Sequence, residues 1–146
     1  MTKYVIGCDP GSTKGHGVAV YKDKTLIELS MMRLMELYEL LLSLKEDGGV
    51  IVHIEDVYSQ RGVWHNENGS KKSFGKTSQN VGLCKWAQIE VERMCEHVGV
   101  EVVRHKVSST WKKAGTQEQQ FKRCTGWTKR SNEDKRSAAW MAYQAL

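Results

Sequence analysis

Short apolar runs open the chain. Tyr4 to Asp9 is rich in Val and Ile and stops at Pro10-Gly11, the pattern of a buried strand ending in a turn. Gly17 to Tyr21 and Thr25 to Ser30 read as two more strands joined at Lys22-Asp23-Lys24, so the first three segments form an antiparallel meander. Apolar positions then shift to helical spacing. Leu34, Leu37, Tyr38, Leu41 and Leu42 predict a helix over Arg33 to Lys45, ended by Gly48-Gly49. Val50 to Val57 is strand-like again; following a helix, it pairs parallel to the first strand. Tyr58 to Ser73 has little apolar periodicity and holds Gly, Asn, Ser and several charges around Trp64. A loop of that length in a small domain is functional or mobile. Phe74 to Val98 reads as a long helix, with Val81, Cys84, Ile89, Val91 and Met94 among its apolar positions, and Val100 to Lys106 as a fifth strand. Ser109 or Thr110 would cap a short helix over Trp111 to Ala114, Gln117 to Arg123 is a weaker helical segment, and Asn132 to Leu146 is a closing helix capped by Ser131 or Asn132. The order predicts an α/β fold: a mixed five-stranded sheet, three antiparallel strands and then parallel ones, covered by helices.

Composition narrows the class. The 146 residues, 40% hydrophobic with a single proline, suit one domain with a sizeable core and not a disordered chain. No apolar run reaches the roughly 20 residues of a membrane span, and the N-terminus runs straight into a strand, so the expectation is a cytoplasmic protein without a secretory signal. Cys8, Cys84, Cys95 and Cys124 lie far apart with no Cys-x-x-Cys pair, against a zinc ribbon or a disulfide framework. The net charge of +5 hides segregation: Arg104 to Arg136 carries net +7 and Val57 to Trp86 net +4, leaving −6 for the rest. Such segregation suits a surface that neutralises phosphates, although an ordinary solvated basic face has the same signature. Gly11-Ser12-Thr13-Lys14-Gly15 lacks the spacing of a Walker A loop, which argues against ATP binding.

The candidate chemistry is carboxylate chemistry. Asp9 finishes the first strand and Glu55 stands near the end of the fourth, inside Val-Ile-Val-His-Ile-Glu-Asp. Acids seldom finish buried strands unpartnered, because desolvating a carboxylate is costly. If the two strands are parallel neighbours, both acids emerge at one sheet end, and each raises the other's pKa unless a cation lies between them. Mg²⁺, which takes hard oxygen ligands, is the natural ion. Asp134, in the first turn of the last helix, is a third acid, with Glu133 as the alternative ligand; an acid there also favours a helix N-terminus.

Taken in order, these segments resemble a known family. Ile6-Gly7-Cys8-Asp9-Pro10-Gly11-Ser12 is similar to the opening of RuvC-type Holliday-junction resolvases, and Val52-His53-Ile54-Glu55 to their second acidic strand. Phe74-Gly75-Lys76, then a helix, then Ser109-Thr110-Trp111-Lys112-Lys113 is similar to the phage-type members, and Asn132 to Ala142 resembles the closing acidic helix. The resemblance implies a single RNase H-like nuclease domain over residues 1–146, a homodimer, and nicking of four-way DNA junctions with two Mg²⁺ ions, Mn²⁺ being able to substitute. It implies Asp9, Glu55 and Asp134 as ligands, Lys112 as a basic residue near the scissile phosphate, and Tyr58 as an aromatic inserted at the junction. The phage-type similarity also implies a viral source and action in the host cytoplasm. Arg61, Trp64, Lys71, Lys72, Lys76 and Lys113 join Tyr58 as expected DNA contacts.

One departure stands out. The family's last helix carries a second acid three or four residues after the first; here those positions are Ser137 and Ala138. Positions i+3 and i+4 share the face of i, so the absent carboxylate would have pointed into the site. A degenerate junction-binding protein of the same fold is therefore the competing class, and an RNA–DNA hybrid nuclease a third. Trp64 and His65 fall in the polar loop, where a tryptophan suits either base stacking or packing on its own domain or a partner. Trp86, Trp111, Trp127 and Trp140 fall on helical or near-helical segments and read as core or interface. His105 is expected near the active-site end of strand five.

Overall fold

Alternation and register place the sheet. In a computed structural model that describes residues 1–11, 13–59 and 71–146, with the side chains of 71–78 excepted, β1 (Thr2–Asp9) lies at the centre. Antiparallel β2 (His16–Lys22) flanks it on one side and parallel β4 (Gly48–Glu55) on the other. β3 (Thr25–Met32) and β5 (Glu101–His105) close the edges, in the order β3-β2-β1-β4-β5. β3 is antiparallel to β2 and β5 parallel to β4, the mixed sheet read from the sequence.

Successive side chains alternate between faces. Tyr4, Ile6 and Cys8 of β1 and Val52 and Ile54 of β4 point to a core shared with Leu37 and Leu41 of α1 (Leu34–Asp47) and Val91, Met94 and Cys95 of α2 (Lys71–Val98). Val5, Ala19 and Tyr21 point the other way, onto Ala138, Ala139 and Ala142 of α4 (Glu133–Tyr143) and Phe121 of α3 (Thr116–Thr125). The residues of β1 and β4 on this second face end in Asp9 and Glu55.

Three expectations need correction. Gly48 caps α1 as expected, its amide donating to the Leu44 carbonyl, but the fourth strand begins there and not at Val50, paired with Thr2 in extended backbone, because the parallel ladder with β1 reaches back that far. α2 begins at Lys71, so residues 71–73 are helix and not loop. No helix forms over Trp111 to Ala114, where the chain makes turns with Trp111 at φ 66°. Tertiary packing overrides local propensity there. The Trp111 ring is buried, with its centroid 5.5, 5.1 and 5.0 Å from those of Phe121, Trp140 and Tyr143. The carbonyls of Trp111 and Lys112 accept from the Arg136 guanidinium at 2.8 and 2.6 Å. Among the other tryptophans, Trp127 and Trp140 pack partly buried on that cluster, whereas Trp86 is 55% exposed and lies outside the core. No helix among the described residues is long and apolar enough to cross a membrane.

Candidate active site

The parallel register carries Cys8 beside Ile54, so the next residues, Asp9 and Glu55, leave neighbouring strands at one sheet end. Both are buried. Asp134 reaches this end by a different route. The start of α4 lies against β2, where Gly17, the partner of Asp9, faces the Asp134 backbone; a Cβ on Gly17 would collide with the Asp134 carbonyl. A Cβ on Gly7 would likewise collide with the Ala138 carbonyl. Two glycines thus let α4 settle onto the sheet. Of the two cap candidates, Asn132 caps the helix, its side chain accepting from the Lys135 amide at 2.8 Å, while Ser131 Oγ accepts from Arg136.

Asp9, Glu55, Asp134 and Lys112 line one cavity of about 430 Å³, together with Cys84, Asn80 and the Pro10-Gly11 turn. Asp134 is exposed, at the rim. Lys112 Nζ lies 3.6 Å from Glu55 Oε2. Ser137, one of the two positions where the resemblance implies an acid, is fully buried and donates to that same oxygen at 3.0 Å. Burial and the neighbouring Glu55 charge push Asp9 up to about 7, against the pull of Lys112 and Ser137. A buried carboxylate pair of this kind calls for a cation.

The donor set suits Mg²⁺ or Mn²⁺: all hard oxygens, with Mg²⁺ commonly held by one or two carboxylates plus water and substrate phosphate. Among the described residues, no three His, Cys, Asp or Glu side chains converge tightly enough to enclose an ion by themselves. Asp9 and Glu55 form the pair, and Asp134 lines the same cavity. Glu133 is exposed and does not line the cavity.

His105 sits beside Glu55 in register but is bonded to His53, ring nitrogens 2.7 Å apart, and does not line the cavity. Burial, and then the His105 ring and Lys3, push His53 down to about 4. Tyr58 leaves β4 with its side chain 52% exposed and its amide donating to Gln88 Oε1 at 2.7 Å. Lys113 is exposed beside Lys112. Arg61 and Trp64 lie outside the described residues, as do the side chains of Lys71, Lys72 and Lys76.

Three participants were not anticipated in these roles. Ser137 is noticeable in the sequence only as a missing acid. Arg136 sits in a Glu-Asp-Lys-Arg run that reads as solvated, yet it is 3% exposed. Gln88 is fully buried and joins α2 to Asp56 at 2.9 Å and to Glu92 at 3.0 Å. In the sequence, only the small-residue run Ser137-Ala138-Ala139 signals the close approach of α4.

No protein-family model matches the sequence, and no curated protein sequence matches it. The structure is similar to that of Thermus thermophilus RuvC, with TM-score 0.56 and 15% identity over 96% of this chain and 91% of that one. It is equally similar to T. thermophilus RuvC in complex with Holliday junction substrate, with TM-score 0.56 and 16% identity over 96% and 90%. The chain has a RuvC-like, RNase H-like α/β fold.

Proposed function

We propose that the chain is a divalent-metal-dependent endonuclease that nicks Holliday junctions and other branched DNA, one nuclease domain per chain, acting as a homodimer in the cytoplasm. The observation that carries this reading is the convergence of Asp9, Glu55 and Asp134, from two strands and a helix start, on one cavity that also receives Lys112. The Holliday junction bound by the similar T. thermophilus structure supports the choice of DNA. Asp9, Glu55 and Asp134 would hold Mg²⁺ or Mn²⁺, which when bound supplies Lewis-acid stabilisation of phosphoryl charge and a water of lowered pKa. Lys112 presents its ammonium to the phosphate entering the cavity, and Ser137 fixes the Glu55 carboxylate. Tyr58, Arg61, Trp64, Lys71, Lys72, Lys76 and Lys113 are proposed as DNA contacts, with Tyr58 exposed where the chain leaves the sheet.

A second reading has one observation in its favour. Ser137 stands where another carboxylate is expected, which suits a protein that binds junctions without cutting them. Incubation with Mg²⁺ or Mn²⁺ and four-way junction, flap, duplex and RNA–DNA hybrid separates the readings. We expect nicking of the junction, lost in Asp9→Asn with junction binding retained. Binding without nicking at any metal concentration would establish the second reading, and preferential cutting of the hybrid would replace both.

A further inference from the structure

The cavity wall carries three carboxylates, Asp9, Glu55 and Asp134, and two ammonium groups, Lys14 and Lys112. Taken as fully charged, these sum to −1, so one divalent ion already more than neutralises the wall. The distribution of donors points the same way. Glu55 Oε2 already accepts from Ser137 Oγ at 3.0 Å and faces Lys112 Nζ at 3.6 Å. That oxygen is committed to two positive or proton-donating partners, leaving Glu55 Oε1 and Asp9 as the ligand atoms at the sheet end. The α4 face one turn beyond Asp134 offers a neutral hydroxyl, turned toward Glu55, where a second ion would need another anion.

Nor is Lys112 a loose surface lysine. Its own carbonyl is gripped by Arg136 Nη2 at 2.6 Å, and the preceding Trp111 carbonyl by Arg136 Nε at 2.8 Å. Trp111 is 3% exposed and held at positive φ. The turn that delivers the ammonium is therefore fixed, with its side chain 27% exposed.

We propose that the DNA-free protein holds one divalent ion per chain, not two, and that Lys112, fixed by Arg136, occupies the electrostatic place of the second. This rests on the reading of Asp9 and Glu55 as metal ligands. In water-exposed geometry a unit charge a few ångströms away changes ion affinity by about tenfold or more, so removing the ammonium or adding a carboxylate should reveal a second site.

The test is Mn²⁺ binding to the protein alone, followed by the electron paramagnetic resonance of free Mn²⁺ and by calorimetry, with no DNA and no turnover. Wild type should bind one ion per chain, lost in Asp9→Asn. Lys112→Gln should add a second ion or tighten it about tenfold. Ser137→Asp should do the same; because Ser137 is fully buried, its fold is checked by circular dichroism, and Lys112→Gln keeps the test alive if that variant does not fold. Two ions of similar affinity in wild type would overturn the proposal while leaving the metal-ligand reading intact. One ion in wild type and in both folded variants would overturn the role given to Lys112. No binding, or binding unaffected by Asp9→Asn, would overturn the proposal together with the reading beneath it.

Discussion

Arg136 is 3% exposed, and its nearest carboxylate, Glu118, is 4.0 Å away. Backbone carbonyls and Ser131 do most of the compensation. A guanidinium forks between two carbonyls in a way an ammonium cannot. Arg136→Lys should therefore cost about 1–3 kcal/mol by leaving one carbonyl short, and Arg136→Leu about 3–5 kcal/mol, both read by urea unfolding. Asp9 makes a different prediction at the same scale. Its folded pKa of about 7 lies above the ordinary 3.8, mainly because of burial and then the Glu55 charge. The folded state thus binds the proton more tightly than the unfolded one. Asp9's contribution is fully present below pH ~4 and is lost as pH rises through ~7, up to about 4 kcal/mol in total. Without divalent metal, the melting temperature of wild type should fall between pH 5 and 8 more steeply than that of Asp9→Asn, which has no proton to lose. Added Mg²⁺ should raise wild-type melting more at pH 8 than at pH 6, since it competes with that proton. Parallel melting curves for the two proteins across this range would contradict the assignment.

Secondary elements are brought together by what they lack. Gly7 and Gly17 leave room for the carbonyls of Ala138 and Asp134, so the α4 backbone lies directly on β1 and β2. Gly7→Ala or Gly17→Ala must lift the helix, because the obstructing atoms are backbone; an overpacked interface of this kind costs about 1–3 kcal/mol, sometimes more. Gly49→Ala, where an added Cβ meets nothing within 4 Å, is the matched control in β4 and should melt near wild type. In Gly17→Ala the lift falls at Asp134, so junction cutting should drop more than stability alone explains, whereas equal melting of all three variants would mean that α4 sits further from the sheet. The same elements explain what the sequence disclosed. The short apolar runs of β1 and β4 and the stop at Pro10-Gly11 were legible because strand composition and turn chemistry are local, and with the two strands taken as parallel neighbours they brought Asp9 and Glu55 to one sheet end. The turn at Trp111 was not legible. Its conformation depends on Arg136, 25 residues further on, and on a ring cluster from three segments, neither of which leaves a local trace. Asp56, Gln88, Glu92 and Arg104 were hidden similarly. Their bonds join the exit of β4, α2 and β5, including a two-point Arg104–Glu92 contact at 2.8 and 2.7 Å, and polar letters in sequence do not say that they face one another.

At the scale of the molecule the charge asymmetry and the shape of the site make one joint demand. The net +7 stretch from Arg104 to Arg136 runs from the exit of β5 to the start of α4 and includes Lys112 at the cavity wall. The logarithm of junction affinity should fall linearly with log salt, with a slope of about −0.9 per phosphate neutralised; a flat response would detach binding from these basic residues. A four-way junction also has two strands to cut in symmetric positions, and a two-fold pair of chains matches it. In the proposed homodimer, the exposed face of α2 would supply the apolar surface for such a pair. Leu83 and Trp86, three residues apart on one helical face, are 48% and 55% exposed, and Arg93 lies over the Trp86 ring at 5.4 Å. An arginine resting on an outward tryptophan is an arrangement found in interface hot spots, where Trp and Arg are enriched. Trp86→Glu places a charge in that contact without touching the core or the cavity. The variant should keep its thermal stability at dilution and sediment as a monomer where wild type sediments as a dimer. On the junction it should give single nicks in place of paired ones, because the second active site no longer arrives with the first. Paired nicking by a monomeric Trp86→Glu protein, or a dimer undisturbed by the substitution, would place the two-fold contact elsewhere on the chain.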